Sequence, residues 1–227
     1  MTWFTRMALN PQRRGARKLL ANPQAMHAAV MSAFPPGALE QAADQGRPLW
    51  RLDSHHPEHT LYVVSPAEPD LQHVVEQAGW STASWETTPY TRFLDQLRKG
   101  QEWRFRLRAN PVKALPSGSD RRGKVVPHVT PAQQVRWLES RAPGLGFELV
   151  SASSEEGSEP LTSVTGRADR AFNRFSPEGE RTRVTLRQAQ FDGVLTVADA
   201  EKLRHAMVHG IGRGKAYGCG LLTLRRI

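Results

Sequence analysis

Near the carboxyl end, residues 210–220 alternate glycines with two cations. The segment contains Gly210, Gly212, Arg213, Gly214, Lys215, Gly218 and Gly220. Glycine lets backbone N–H groups approach an anion closely and adopts the positive φ values that anion-binding loops need. Because Ala216 stands where a Walker loop needs Ser or Thr, and because a predicted helix precedes the segment, nucleoside triphosphate and dinucleotide motifs are excluded. The pattern indicates a phosphate-backbone contact, and a tight helix-to-strand turn is the other interpretation.

His27 is the second candidate for chemistry. It lies in the first turns of a predicted helix, after a basic run that contains Arg13, Arg14, Arg17 and Lys18. Imidazole has an ordinary pKa of about 6.5, which suits proton transfer at neutral pH. The alternative is a surface or core histidine without a catalytic role.

Residues 167–175 mix cations with aromatic side chains: Arg167, Arg170 and Arg174 lie among Phe172 and Phe175. Such a mixture can neutralise phosphates and stack on bases. The alternative is a solvated loop that its phenylalanines anchor.

Weaker patterns surround the remaining histidines and Cys219. His55, His56 and His59 flank Pro57 with no cysteine nearby, so a solvated turn is preferred over a metal site. Cys219 is interpreted as a buried structural thiol. Since no paired-carboxylate or HExxH pattern supports metal hydrolysis, we expect no metal ion or other cofactor.

Positive charge is concentrated in the second half of the chain. Residues 1–97 hold 8 Lys and Arg and 9 Asp and Glu, a net charge of −1, while residues 98–227 hold 23 and 13, a net charge of +10; together they give +9. This asymmetry predicts a polyanion partner for the second half. No apolar run approaches the ~18 residues of a membrane span, so no membrane partner is expected. The single cysteine and the lack of a secretory signal are typical of a cytoplasmic protein.

Two stretches of the chain have the same predicted order of elements, strand–helix–strand–strand–helix–strand. In the first, strands are predicted at 3–9, 48–53, 60–65 and 84–90 and helices at 22–33 and 70–78, with the basic run at 10–18 as a loop. In the second, strands are predicted at 102–110, 147–151, 183–197 and 220–224 and helices at 130–138 and 199–209, with a polar loop at 152–180. A short hairpin strand at 124–128 is predicted in addition to this order. The predicted fold is α+β, with two tandem ferredoxin-like (βαββαβ) domains at residues 1–92 and 100–227.

Three separated stretches resemble one known family, CasE, the RNA-processing subunit of the type I-E CRISPR Cascade complex. They are Met26-His27 through Phe34-Pro35, the sequence FRLRANPVK at 105–113, and FDGVLTV at 191–197 together with residues 210–222. The stretches occur in the order of the family and reach both ends of the chain.

The resemblance implies a metal-independent endoribonuclease that binds the CRISPR repeat RNA hairpin, cleaves precursor CRISPR RNA and works with other Cascade subunits. His27 falls on the family's catalytic histidine and Lys215 on its glycine-rich loop. The expected RNA-binding residues are Arg13, Arg14, Arg17, Lys18, Arg104, Arg106, Arg108, Lys113, Arg167, Arg170, Arg174, Gly210, Gly212, Arg213, Gly214 and Gly218. Where some relatives have a tyrosine one helical turn before the histidine, this chain has Gln24, so no phenol is expected to assist His27.

The expected reaction is attack by the RNA 2′-hydroxyl on the adjacent phosphorus, which gives a 2′,3′-cyclic phosphate and a 5′-hydroxyl. His27 acts as base or acid, and the residues do not decide between them. Two alternatives remain: a non-catalytic RNA-binding subunit with the same fold, and a basic scaffold protein of a ribonucleoprotein.

Overall fold

The computed structural model describes residues 1–55, 57–115, 124–154, 157–175 and 179–227. It combines antiparallel sheets with helices, so the predicted α+β class is confirmed. His56, and residues 155–156 and 176–178 of the predicted loop, lie outside the described residues. Within these ranges, no helix is both long enough and apolar enough to cross a membrane.

The first half forms one sheet in the order β2-β3-β1-β4, with antiparallel pairing throughout. Its elements are β1 (Trp3–Leu9), α1 (Arg14–Ala21), α2 (Pro23–Met31), α3 (Ala38–Gln41), a 3-10 turn (Ala43–Gln45), β2 (Leu49–His55), β3 (Glu58–Ser65), α4 (Gln72–Ala78), β4 (Trp85–Pro89) and α5 (Thr91–Leu94). The four predicted strands and both predicted helices are confirmed. The short helices α3 and α5 were not predicted.

The basic run before His27 is a helix, so its prediction as a loop was wrong. Ala16 and Leu19 are buried one turn apart, and they hold α1 against the first core. Gly15 permits this packing, because a Cβ atom there would lie 2.2 Å from the backbone oxygen of Gln77 in α4. The glycine therefore serves a close helix–helix approach.

The second half forms a five-stranded sheet in the order β11-β12-β5-β13, with β8 also paired to β12. Its elements are β5 (Glu102–Ala109), β6 (Val112–Ala114), β7 (Val125–Pro127), α6 (Pro131–Glu139), a 3-10 turn (Pro143–Leu145), β8 (Phe147–Leu149), β9 (Ser151–Ser154), β10 (Gly157–Pro160), β11 (Thr162–Phe175), β12 (Arg181–Val197), α7 (Ala200–His209), a 3-10 turn (Lys215–Tyr217) and β13 (Leu222–Arg225). Thr130 and Asp199 cap α6 and α7 with their side chains, as expected for helix starts.

Most of the predicted loop at 152–180 is strand. β11 pairs with β12 from Thr162↔Gly193 to Phe175↔Arg181, whereas β5 pairs with β12 only as far as Ala189. Residues 167–175 and 181–188 therefore extend beyond the sheet as a two-stranded projection, which we call the basic ribbon. Arg167, Asp169 and Arg174 are exposed on β11, so this strand lacks the apolar alternation on which strand prediction depends.

The hydrophobic residues form two cores, and one of them spans both halves. The first core lies between α1, α2, α4 and the first sheet. The second contains Leu49, Val64 and Tyr90 of the first half together with Phe105, Phe191 and other residues of the second sheet and its helices. The two sheets are consequently packed against each other over a shared apolar contact.

Polar groups join the halves beside this contact. Buried Arg51 donates to both carboxylate oxygens of Asp53, at 2.7 and 3.1 Å, and to the backbone oxygens of Arg106 and Leu221, at 3.0 and 3.2 Å. Arg106 in turn contacts Asp53 at 3.2 Å and Asp192 at 2.6 Å. We call these four side chains, Arg51, Asp53, Arg106 and Asp192, the junction network.

Candidate functional site

The start of α2 fixes the position of His27. The side chain of Asn22 accepts hydrogen bonds from the backbone N–H groups of Gln24 and Ala25, at 2.9 and 3.4 Å, and Pro23 occupies the first helical position. Met26 and Val30 are fully buried in the first core. Anchored in this way, the helix presents the half-buried His27 to residues 210–220.

Residues 210–220 turn back from α7 into β13 and contact both halves of the molecule. Gly210, Gly212, Gly214, Gly218 and Gly220 all have positive φ angles. At Gly218, where φ is +76°, a Cβ atom would lie 2.7 Å from the ring of Trp50 in β2. The indole N–H of Trp50 also donates to the backbone oxygen of Ala216 at 3.2 Å. The first half thus supports the one-turn helix that carries Lys215, and part of the glycine content is explained by packing.

Tyr217 brings this turn into contact with His27. The two rings meet edge to face, with centroids 6.2 Å apart and planes 70° apart. Phe172 of the basic ribbon packs against the same tyrosine at 4.7 Å. The backbone of Tyr217 is also held, since its N–H donates to the oxygen of Gly214 at 2.8 Å and its oxygen accepts from Gln188 at 3.0 Å. A tyrosine therefore does lie beside His27, although it comes from residues 210–220 and not from α2.

The histidine itself is held by ring packing more than by hydrogen bonds. Its Nδ1 atom is buried and has no hydrogen-bond partner among the described residues, and the same is true of the Oε1 atom of Gln24 one turn earlier. A ring nitrogen in this state leaves the tautomer unfixed. Among the described residues, contact with the Tyr217 ring is the interaction that can orient the imidazole of His27.

One further cation acts on both candidate catalytic groups. Burial lowers the pKa of His27, and the charge of Arg47 lowers it further. Burial and Arg47 likewise lower the pKa of Lys215. Lys215 is half-buried and Arg47 is exposed. His27, Lys215 and Arg47 therefore belong to one electrostatic environment, in which an anion would be stabilised.

The predicted RNA-binding cations lie on α1, the basic ribbon, β6 and one face of β5, and Arg213 lies in the glycine-rich turn. Arg14, Arg17 and Lys18 are exposed on α1, while Arg13 donates to the backbone oxygens of Val75 and Gly79 at the end of α4. Arg167, Arg170 and Arg174 lie on the basic ribbon, and Lys113 is exposed on β6. Arg104, Arg106 and Arg108 share one face of β5, where Arg106 is engaged in the junction network.

The predicted RNA-binding residues of the glycine-rich turn, residues 210–220, differ in their exposure to solvent. Gly212 and Arg213 are exposed, Gly210 and Gly214 are half-buried, and Gly218 is buried against Trp50. Arg213 also forms an isolated bridge with Asn110. The exposed positions can contact a ligand directly, whereas Gly218 shapes the turn from below.

Sequence reasoning missed several residues of the site. Tyr217 stands two positions after Lys215 in a segment already selected, and this spacing could have singled it out. Arg181 and Arg183 are exposed on β12, opposite Phe175 and Asn173, and they add charge to the basic ribbon. Arg47 gave no signal, because it is an isolated arginine before a strand.

The weaker sequence candidates have structural explanations. Cys219 is fully buried and accepts a hydrogen bond from Gln188 at 3.3 Å, and burial raises its pKa to about 12, which confirms the structural thiol. His55 lies 3.1 Å from a guanidinium nitrogen of Arg106, and His59 lies 2.8 Å from the Ser54 hydroxyl. Within the described ranges, no three His, Cys, Asp or Glu side chains are grouped as metal ligands.

Fold and site together define a mixed α/β protein in which a basic ribbon and a glycine-rich turn meet a partly buried histidine. The profile of a family described as "CRISPR associated protein" matches residues 2–226. The chain belongs to this family of CRISPR-associated proteins, which confirms the resemblance found in the sequence.

Named relatives give the same assignment. The chain is 35% identical over 227 residues to the CRISPR-associated endoribonuclease Cse3 of Thermus thermophilus, with 98% of this chain and 99% of the relative covered. It is 30% identical over 190 residues to the Cascade subunit CasE of Escherichia coli, with 78% and 87% covered. The structure of CRISPR endoribonuclease Cse3 bound to 19 nt RNA is similar with a TM-score of 0.73 and 32% identity, and 99% of this chain and 98% of that chain are covered.

Proposed function

We propose that this protein is an endoribonuclease that binds the hairpin of a CRISPR repeat, cleaves precursor CRISPR RNA and works as a subunit of a Cascade complex. The main support for this proposal is that His27 of the first half lies against the turn of the basic second half that contains Lys215. The names of the relatives, an endoribonuclease and a Cascade subunit, support the assignment.

The proposed reaction is an internal transfer at one phosphodiester. The 2′-oxygen attacks the adjacent phosphorus, the bond from phosphorus to the 5′-oxygen breaks, and the products are a 2′,3′-cyclic phosphate and a 5′-hydroxyl. The proton of the 2′-hydroxyl leaves to a base, and the departing 5′-oxygen receives a proton from an acid. His27 performs one of these transfers, a contribution of ~10²–10⁴-fold to the rate.

Charge on the pentacoordinate phosphorus needs a second group. Lys215 lies on the turn that faces His27, and the exposed residues Gly212 and Arg213 belong to the same segment. Cations and backbone donors placed where charge develops lower the barrier most effectively in a partly desolvated site. Tyr217 has a positioning role, because its ring contacts the imidazole and the basic ribbon together.

The basic ribbon and α1 are the proposed RNA grip. Arg167, Arg174, Arg181 and Arg183 are exposed on the ribbon, and Arg14, Arg17 and Lys18 are exposed on α1. Phosphate contacts of this kind supply affinity and set the register of the RNA on the protein.

The architecture is consistent with two ferredoxin-like domains, at residues 1–92 and 100–227. In the first half, the order β4-β1-β3-β2 is the order expected of a βαββαβ unit. In the second half, β13-β5-β12 with β8 on β12 repeats it, with the basic ribbon as an extension of the third strand. The candidate site lies where helix α2 of one unit meets the last turn of the other.

His27→Ala tests the nuclease assignment on a repeat RNA under single-turnover conditions. We expect cleavage to fall by ~10²–10⁴-fold with nearly unchanged RNA binding. His205→Ala, an exposed histidine of α7, is the matched control and should cleave like the wild type. Undiminished cleavage by His27→Ala would reject the role of His27, and a wild type that binds the RNA without cutting it would favour a binding subunit.

Two further measurements test the chemistry. Deoxy substitution at the attacking 2′ position should stop cleavage, and the product should carry a cyclic phosphate. EDTA should leave the wild type active, because the proposed proton transfers use protein groups. Loss of activity in EDTA would indicate a metal-dependent enzyme instead.

A further inference from the structure

Two arginines on one face of β5 have opposite electrostatic surroundings. Arg106 lies opposite Asp192 in the register of β5 and β12 and forms ion pairs with Asp192 and Asp53. Arg108, two residues later, lies opposite Gln190, and its side chain donates to the Gln190 amide oxygen at 3.0 Å. Among the described residues Arg108 has no salt bridge. A neutral amide therefore occupies the position at which the neighbouring arginine has a carboxylate.

Arg108 lines a cavity between the halves. The cavity has a volume of about 300 Å³, and Arg167 and Arg170 of the basic ribbon also line it. Its remaining lining residues include Ser54, Gln188 and Gln190, and no Asp or Glu belongs to the described lining. Neither Arg167 nor Arg170 forms a salt bridge within the described ranges. Three guanidinium groups thus line a cavity of mixed polar and apolar character whose described lining contains no carboxylate.

The backbone leaves room for a ligand in this cavity. The register of β11 and β12 shifts between Val164 and Gly166, and Gly166 lines the cavity without a side chain. Irregularities of this kind re-aim side chains and are frequent beside functional sites. The shift is followed directly by Arg167.

The energetics of Arg108 also favour a bound anion. Burial is the main cause that lowers the pKa of the Arg108 guanidinium; the charge of Asp53 opposes it, and the charges of Arg51 and Arg170 add to it. A guanidinium offers five donor hydrogens in a fork that matches a phosphate. An anion in the cavity would offset the burial cost of the cation and the repulsion from Arg170.

The cavity is also connected to the candidate active site. Gln188 lines it and donates to the backbone oxygen of Tyr217, whose ring contacts His27. Arg170 and Phe172 lie two residues apart on β11, and Phe172 contacts Tyr217. A strand of RNA at His27 could therefore continue into the cavity.

We propose that Arg108, Arg170 and Arg167 form an anion subsite that takes a backbone phosphate of the bound RNA, close to the linkage that is cut. The inference rests on the proposed function for the identity of the ligand. The amide of Gln190 is the specificity element, because it leaves Arg108 free where Asp192 neutralises Arg106.

Equilibrium binding of a repeat RNA with a deoxy substitution at the cleavage site tests the subsite, over a range of salt concentrations. Arg108→Gln and Gln190→Glu should each weaken binding by about tenfold and reduce the slope of log K against log salt by about one. Arg170→Gln, on the ribbon outside both cores, should act in the same direction. Circular dichroism and the thermal midpoint establish that each variant is folded.

The matched control makes the same change of charge elsewhere. Gln96→Glu, on an exposed turn between the two halves, should bind like the wild type. The proposal is wrong if folded Arg170→Gln and one of the other two variants, Arg108→Gln or Gln190→Glu, bind RNA with wild-type affinity and salt slope. It is also wrong if Gln96→Glu loses as much affinity as these variants. A neutral methylphosphonate, placed at one phosphate after another, should weaken binding by the wild type at each phosphate that the protein contacts. At one of these positions it should have no effect on binding by Arg108→Gln.

The two proposals fail in different ways. If the wild type binds the RNA but does not cleave an unmodified repeat, the nuclease assignment fails and the binding series still tests the subsite. If cleavage depends on His27 but the subsite variants bind normally, only the subsite is wrong.

Discussion

The two halves of this protein contribute different parts of one site. The first half has a net charge near zero and provides His27 on a helix anchored in an apolar core. The second half carries the excess of ten positive charges and provides Lys215, the basic ribbon and the three arginines that line the cavity between the halves. In the proposed function, proton transfer by His27 therefore comes from the first half and most of the RNA-binding charge comes from the second, so mutations can affect the two separately.

Such a division works only if the halves keep a fixed relative position. Proximity and alignment of the reacting groups account for a large part of catalysis, and a displacement of about 1 Å can cost ~10²-fold. The shared core and the junction network are the features that fix this position. We therefore expect substitutions in the junction network to have the strongest effects, and substitutions of single residues at the candidate site to have weaker ones.

Asp53→Asn should have the largest effect on stability, because it leaves Arg51 buried without its counter-charge. Burial alone would raise the pKa of Asp53, but Arg51 and Arg106 lower it below its ordinary value, so the carboxylate is charged at neutral pH. Removal of one member of a buried pair costs about 3–5 kcal/mol. For a chain of this size we expect the thermal midpoint to fall by roughly 10 °C.

Glu86→Gln is the control for the junction. It breaks the exposed pair with Arg6 in the first sheet, in which both side chains are more than half exposed. Thermal unfolding followed by circular dichroism should show little change for this variant. Equal midpoints for the two variants would mean that the junction network does not hold the halves together.

Lys215→Gln should have the second-largest effect, and it should lower the rate of cleavage more than the affinity for RNA. Removal of one group that stabilises developing charge typically costs ~10²–10³-fold. Single-turnover cleavage and RNA affinity, measured on the same preparation, separate the two effects. Lys99→Gln, which removes an exposed lysine between the halves, should retain full cleavage. A matching loss of affinity and rate in Lys215→Gln would assign Lys215 to the grip and not to the chemistry.

Sequence reasoning predicted the elements that have strong local signals. The strand Glu102–Ala109 alternates apolar and basic side chains, and Asn22-Pro23 marks the start of α2, so both were found. The first strand of the basic ribbon, residues 167–175, was predicted as a loop, because its pairing with β12 and not its own pattern makes it a strand. In α1, a glycine required for contact with Gln77 was interpreted as part of a loop.

The candidate site was predictable to a similar degree. His27 and Lys215 were selected by type and by resemblance, and the structure places their segments in contact. The roles of Tyr217, Arg47 and Gln190 depend on which atoms face each other across the two halves. Contacts between residues so distant in sequence are set by tertiary packing, and no local spacing encodes them.

Tyr217 contacts both His27 of the first half and Phe172 of the basic ribbon, and two substitutions test the importance of these contacts. Tyr217→Leu removes the ring between His27 and Phe172, and we expect about tenfold slower cleavage, equivalent to about 1.4 kcal/mol of barrier. Tyr217→Phe keeps the ring and should cleave nearly like the wild type. If Tyr217→Phe is as slow as Tyr217→Leu in a single-turnover assay, the hydroxyl takes part in the reaction and a positioning role is insufficient.

Arg47→Gln should produce the smallest effect, a shift of the pH–rate profile. Burial and then the charge of Arg47 lower the pKa of His27 from its ordinary value of 6.5, so removal of the charge must move the pKa upward. The pH limb that reports His27 should therefore lie below 6.5 in the wild type and at higher pH in the variant. The shift should be small and should shrink further in high salt, because Arg47 is exposed and its charge is screened. A limb that rises with pH identifies His27 as the base, and one that falls identifies it as the acid. If the limb does not move, the charge of Arg47 does not act on His27. The charge that acts on His27 would then come from the second half alone.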